Sequence, residues 1–203
     1  MKITIIGGSK GTGAKLALLA SKAGHEVTAL SRSGTAPEGV AAIAGDATDE
    51  AVVQQAVAGA DAVVITVGGA KGVSRHRAEV TRTAIRAMEL AGVSRLLVQS
   101  SLGAGDSGSL MPVALRLLMK GILASPLADH NEQEKAVRAS SLDWTIVRPT
   151  GLTDKPATGS TRALQVGQKG TLGGTIPRDD LAAYMLGALE DDTLIGKAVG
   201  ISS

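Results

Sequence analysis

The stretch Lys2-Ile3-Thr4-Ile5-Ile6-Gly7-Gly8-Ser9-Lys10-Gly11-Thr12-Gly13-Ala14-Lys15-Leu16 constrains the fold more than any other part of the chain. Ile3, Ile5 and Ile6 make an apolar run of the kind found in a parallel strand buried on both faces. Glycines follow without a linker, and an Ala/Leu-rich segment from Ala14 to Ala23 has the composition of a helix. The order is strand, tight turn, helix. The three glycines serve different ends, since Gly7 permits a sharp turn, Gly11 lets the backbone approach a phosphate, and Gly13 lets the helix lie close to the strand. The first N–H groups of that helix then face an anion. A βα turn that binds nothing is the alternative, but a strand before the glycines and a helix after them favour a dinucleotide loop.

The spacing Gly7-x-x-x-Gly11-x-Gly13 resembles that of the short-chain dehydrogenase/reductase superfamily. The chain of 203 residues has the size of one unit with a single core. Its 21 Lys and Arg stand against 19 Asp and Glu, a formal charge of +2, and no dense basic run with interleaved aromatics appears; nucleic acid is not an expected partner. With no cysteine, thiol catalysis, disulfides and zinc–thiolate sites are excluded. The first strand begins at the N-terminus, which leaves no room for a cleavable leader, and a cytoplasmic location is expected. Leu110 to Ala124 is apolar but short and carries Arg116 and Lys120, so a pocket-lining helix is expected there rather than a membrane span.

Strand and helix alternate onward. Strands are expected at His25–Leu30, Val40–Gly45, Asp61–Val67 and Ser94–Gln99, with helices over Glu50–Ala58 and up to Leu90. This alternation predicts an α/β fold, a Rossmann-like doubly wound parallel sheet flanked by helices. The second strand ends in Ser31-Arg32-Ser33, where a fold preferring the unphosphorylated cofactor usually carries Asp or Glu; a cation and two hydroxyls favour NADP(H). Lys10 adds a second positive charge, and both residues are alternatively plain solvent-facing cations. Asp49 or Thr48 caps the next helix, Asp49 being preferred. Val67, Gly68 and Gly69 end a buried strand at the carboxyl edge of the sheet, where a cofactor would pass over them. His76, with no acidic partner nearby in sequence, reads as a surface histidine.

Beyond Gly103 a Gly/Ser/Asp-rich loop at 104–109, an apolar helix over about Leu110–Leu123, a break near Ser125-Pro126 and a helix to Ala139 are expected. A sixth strand at Leu142–Pro149, a Gly/Thr-rich stretch with a short strand, a helix from Arg178 to Leu189 and a last strand at Lys197–Ile201 complete the chain. The acceptor side is expected from about 102–130 and 150–175. Trp144 and Tyr184 read as packing residues, and Leu102, Met111, Leu115, Leu118 and Met119 as either pocket lining or core.

Classical short-chain dehydrogenases place a Tyr four residues before a Lys, with a Ser on the preceding strand. Here Lys135 and the serines occur in order, but Asn131 stands where the tyrosine would be. The glycine loop, Ser31-Arg32, Gly45-Asp46, Ser100-Ser101, Asp129-His130 with Lys135, Arg148-Pro149 and Asp180-Leu181 resemble instead an atypical branch, the biliverdin-IXβ reductase/flavin reductase family. The chain departs from it at Lys10, usually glycine there, and in having no Phe. The resemblance implies an NADPH-dependent reductase of a small planar acceptor, with Ser101 and His130 as active-site residues and Asp46 at the adenine ring. It also implies Lys135 at the nicotinamide ribose, where the bland alternative is a solvent-facing lysine. His130, whose ordinary pKa is near neutral, either bonds the acceptor and relays a proton or simply occupies an exposed first helical turn. The candidate cofactor set is Gly7, Ser9, Lys10, Gly11, Thr12, Gly13, Arg32, Asp46, Ala47, Val67, Gly68, Gly69, Ser100 and Pro149. Two other functions stay open: a non-catalytic NADP(H) sensor that acts on a protein partner, and a nucleotide-sugar epimerase or dehydratase, which the short segment after Pro149 disfavours.

Overall fold

Alternate residues of the central strands supply two separate cores, which is how one sheet comes to be covered on both faces. The computed structural model describes residues 1–69, 75–116 and 124–203. Its strands are β1 (Lys2–Ile6), β2 (Glu26–Ser31), β3 (Ala41–Ala44), β4 (Ala62–Ile65), β5 (Arg95–Gln99), β6 (Asp143–Pro149), β7 (Gly151–Thr153), β8 (Arg162–Gln165), β9 (Thr175–Pro177) and β10 (Lys197–Ser202). The main sheet has the order β3-β2-β1-β4-β5-β6-β10-β8, and all its pairings are parallel except β10 with β8. Strands β7 and β9 form a small parallel pair beside it.

Helices α1 (Gly11–Lys22) and α5 (Arg178–Glu190) lie together on one face over Ile3, Ile5, Val27, Val64, Leu97 and Val147. Helices α2 (Glu50–Val57), α3 (His76–Ala91) and α4 (Ala124–Ala139) cover Ile6, Leu30, Val63, Ile65, Leu96 and Val98 on the other. Thr4, buried within an apolar strand, donates its hydroxyl to the carbonyl of Ala56 at 2.6 Å and so fastens the end of α2. Asp49 caps α2, accepting from the N–H of Ala51 at 2.9 Å, and Gly92 ends α3 in the left-handed conformation.

Pro126 sits in the first turn of α4, where its missing N–H costs nothing; the residues just before α4, 117–123, lie outside the described residues. Two local expectations change. The loop after Gly103 contains a 3-10 turn, Ser107–Leu110. The stretch between Pro149 and Gly174 contributes not one short strand but β7 and β8, the latter extending the main sheet as its antiparallel edge. Of the expected helix over 110–123, Leu110 instead closes the 3-10 turn, residues 113–116 are helical, and 117–123, with Leu118 and Met119, lie outside the described residues.

Strand order reverses at β1, whose neighbours are β2 and β4, and the crevice at such a reversal is where open α/β sheets take ligands.

Candidate cofactor and acceptor site

Two cavities meet at that crevice. The narrower, of about 280 Å³, lies over the carboxyl ends of β1 and β2 and is lined by Gly7, Ser9, Lys10, Arg32, Asp46, Ala47, Gly68, Gly69 and His76. The wider, of about 670 Å³, is lined by Gly11, Thr12, Ser100, Ser101, His130 and Pro149 together with the apolar Leu102, Met111, Leu115 and Leu152. Lys10, Thr66, Val67 and Gly68 belong to both, so the two form one continuous trough.

The trough exists because the glycine loop is compact. Gly7 has φ +94°, and a side chain there would come within 3.1 Å of the Thr66 backbone. A Cβ on Gly13 would overlap the carbonyl oxygen of Gly7 and the hydroxyl of Thr66; Gly13 lines neither cavity and acts through packing. The first N–H groups of α1 are thereby left at the wider cavity, next to the Thr12 hydroxyl, which is buried without a partner among the described residues. Gln99 Oε1 and Thr150 Oγ1 are similarly buried and unpartnered on the same wall. All three residues line this one cavity, whose polar wall fits a polar ligand such as a dinucleotide.

Asp46 accepts from the Thr48 N–H at 2.9 Å and hydroxyl at 2.8 Å, and these bonds hold its carboxyl below the usual carboxylate range. His76 is not a bare surface residue: it is half-buried in the narrower cavity, and its charge when protonated would act on Asp46 in the same direction. Arg32 is exposed at the mouth of that cavity.

In the wider cavity, Ser101 is half-exposed and donates to the Leu102 carbonyl at 3.3 Å. Ser100 is committed elsewhere: its hydroxyl donates to Glu134 Oε1 at 2.7 Å and its N–H to the Val147 carbonyl, also at 2.7 Å. Asn131, in the place of a tyrosine, accepts from the Gly105 N–H at 2.7 Å, and Tyr184 packs against the core on the opposite face.

His130 differs from the expected near-neutral relay. It is buried, and desolvation, reinforced by the Arg77 charge, pushes its pKa down to about 4. Gln133 Nε2 donates to the Thr81 hydroxyl, which turns Oε1 toward His130 Nδ1 at 3.1 Å. The ring then carries its proton on Nδ1 and keeps Nε2 as an acceptor. Because the folded-state pKa lies below the unfolded value of 6.5, the unfolded chain takes up this proton first on acidification. Stability from this group is complete above pH 6.5 and is lost as pH falls toward 4, by about 3 kcal/mol in all. A His130→Gln variant should show a shallower decline of urea midpoint between neutral pH and about pH 4.5; an unchanged decline would refute the assignment.

Lys135 is not brought to the site. It is exposed and lines a separate shallow depression with Gly105, Asn131 and Arg138. Helix α4 buries Asp129, His130, Gln133, Glu134 and Val137, so a residue five places after His130 points about 140° away from it. In its place are two arginines that the sequence did not single out. Arg178, at the start of α5, lies 3.6 Å from where a side chain on Gly11 would begin and pairs with Asp154 at 2.9 Å. Arg77, in the first turn of α3, pairs with Asp129 at 3.2 Å. Both line the wider cavity, and both occupy the first turn of a helix that follows a strand, the one sequence signal that marks them.

No described helix is long and apolar enough to cross a membrane, and no cluster of metal-ligating side chains occurs among the described residues. Among solved structures, ChuY of Escherichia coli O157:H7, an anaerobillin reductase, is 29% identical over 99% of this chain and 96% of its own, with a TM-score of 0.84. A short-chain dehydrogenase/reductase of Veillonella parvula in complex with NADP superposes with a TM-score of 0.86 over 100% of this chain and 94% of its own; at 19% identity it speaks for the fold. The curated relative YhfK of Bacillus subtilis, an uncharacterized sugar epimerase, is 26% identical over 100% of this chain and 94% of its own. The NAD(P)H-binding family matches residues 7–192, from the glycine loop through the last helix. The chain belongs to the NAD(P)H-binding family, with a Rossmann-like fold that resembles atypical short-chain dehydrogenase/reductases.

Proposed function

We propose that this protein is an NADPH-dependent reductase of planar acceptors, flavin, quinone or tetrapyrrole, working in the cytoplasm. One observation carries the reading: the wider cavity joins the glycine loop to an apolar wall of Leu102, Met111, Leu115 and Leu152, while the polar groups beside it are suited to positioning rather than to proton donation. His130 is neutral across physiological pH, and a tyrosine acid is replaced by Asn131. Ordinary ketone reduction needs such an acid; planar conjugated acceptors take hydride at one atom and a proton from solvent.

When bound, the dinucleotide supplies the hydride. The chain positions both partners. The α1 N–H groups and Thr12 would hold the pyrophosphate, and Gln99 and Thr150 would give a carboxamide one acceptor and one hydroxyl. Leu102, Met111, Leu115 and Leu152 would exclude water from a flat ring, Ser101 would donate to it, and His130 Nε2 would accept from it. The likeness to ChuY favours a tetrapyrrole among the three acceptor types.

Arg32, with Ser31 and Ser33 beside it, would bind the 2'-phosphate. Arg32→Ala is expected to weaken NADPH by about tenfold and to leave NADH unchanged. Equal weakening of both would remove the assignment.

The activity is tested by incubating the purified protein with NADPH or NADH and, separately, FMN, a quinone, biliverdin and a nucleotide sugar. NADPH consumption with one of the first three acceptors is expected. Tight NADPH binding without turnover would replace the reading with a redox sensor, and sugar interconversion without net cofactor consumption would replace it with an epimerase.

A further inference from the structure

We propose that Arg77 makes the acceptor side of the cavity selective for planar acceptors that carry an acidic substituent, a carboxylate or a phosphate. The inference rests on the reductase reading and specifies its substrate.

Among the described residues, the wider cavity is lined by three cations, Lys10, Arg77 and Arg178, and by no aspartate or glutamate. Lys10 and Arg178 flank the glycine loop, where cofactor phosphates account for them. Arg77 needs a different explanation. It shares its cavity with Ser101 and His130 and is absent from the lining around Arg32 and Asp46, although its neighbour His76 is there. His76 thus faces the narrower cavity, while Arg77 stands where the two meet: its guanidinium lies beside Gly69, 3.0 Å from where a side chain there would begin, and lines the wider cavity.

Asp129 fixes the guanidinium from behind. Its carboxylate accepts from the backbone N–H of Arg77 at 3.1 Å and of Ala78 at 3.0 Å, and from Arg77 Nη1 at 3.2 Å. Asp129 itself does not line the cavity. The guanidinium is therefore held at Nη1, and the side chain, 17% exposed, keeps its remaining N–H donors with reduced freedom to lose. Such a preset planar fork matches a carboxylate or phosphate better than a neutral group. The apolar wall of Leu102, Met111, Leu115 and Leu152 would take the ring system while Arg77 takes its charged arm.

The test measures binding to the NADP⁺-saturated protein, so it is read whether or not turnover occurs. FMN is compared with riboflavin, and biliverdin with its dimethyl ester. The acidic member of at least one pair should bind about tenfold more tightly, the flavin pair identifying phosphate recognition and the bilin pair carboxylate recognition. Arg77→Gln should bring that ratio to about one by weakening the acidic member alone, Arg77→Lys should keep part of it, and NADPH affinity should not move; the melting temperature of Arg77→Gln should fall, because the buried Asp129 loses its charged partner, and that of Arg77→Lys should fall less. The proposal is overturned if the wild-type protein shows no preference in either pair, if the preference survives in Arg77→Gln, or if Arg77→Gln weakens NADPH as much as the acceptor. Failure of the reductase reading shows separately, as absent NADPH consumption.

Discussion

Gly13→Val is expected to abolish NADPH binding. The residue sits in the first turn of α1, where its backbone passes so close to the glycine loop that any Cβ would enter the space of the Gly7 carbonyl oxygen and the Thr66 hydroxyl. The Gly7 carbonyl belongs to main chain, so no rotamer change relieves the contact. Either α1 moves away from β1 or the loop opens, and both displace the N–H groups that would face the pyrophosphate. Valine adds two further methyl groups and a β-branched side chain at the start of a helix. Overpacking of this kind costs about 1–3 kcal/mol of stability, a loss that a chain with two cores should survive. A folded variant that does not bind NADPH is therefore the expected result, measured by titration beside a thermal melt. A folded variant with normal affinity would show that the glycine loop does not hold the cofactor.

The largest expected effect on stability comes from Glu134. Arg148, at the end of β6, is fully buried, and its Nε and Nη2 donate to Glu134 Oε1 and Oε2 at 2.9 and 2.6 Å. Asp106 pairs with the same Nη2 at 2.6 Å, and Ser100 donates to Glu134 at 2.7 Å. Burial opposes the charged form of Arg148, but the bonds and charges of Glu134 and Asp106 outweigh it and raise its pKa. The network ties β5, β6, α4 and the turn after Gly103 together beneath the wider cavity. Glu134→Ala leaves the guanidinium in the interior with only the exposed Asp106 to face it, and a loss of about 3–5 kcal/mol follows. In a chain of this length that corresponds to a melting temperature lower by about 10 °C. Replacing both partners, Glu134→Leu with Arg148→Met, should recover much of the loss, because removing both charges leaves neither one stranded. A single substitution that melts with the wild-type protein would show that the pair contributes nothing.

The parts of the fold that were legible in the sequence are those fixed locally. Ile3–Ile6 and Ala62–Ile65 are apolar runs with no competing helical period, and Gly92 and Asp49 are terminators whose chemistry acts on adjacent residues. Strand β8 was not legible: Arg162-Ala163-Leu164-Gln165 has no strand signature, and its place is set by pairing with β10. The buried arginines were not legible either. Arg95 reads as the polar start of a strand, yet its guanidinium donates to the carbonyls of Ala188 and Leu189 and closes the end of α5 from the sheet face beneath it.

At the site, the residues of the glycine loop and the strand ends fall into one trough because the carboxyl edge of a parallel sheet gathers them. Lys135 shows the limit of matching by order along the chain. Helical geometry alone separates it from His130, a constraint that was present in the sequence and outweighs the motif. The burial that makes His130 neutral was not, since it depends on α4 packing against α3, which also brings the Arg77 charge alongside.

The central claim, hydride transfer from NADPH to a planar acceptor in the wider cavity, is tested most directly by a single-turnover measurement. The NADPH-loaded protein is mixed rapidly with FMN, a quinone or biliverdin, and reduction is followed at the acceptor, once with ordinary NADPH and once with NADPH carrying deuterium at the transferred position. Reduction of at least one acceptor, slower with the deuterated cofactor, is the expected result. Loaded protein that leaves all three acceptors oxidised, or that reduces them at the same rate with either cofactor, would contradict it.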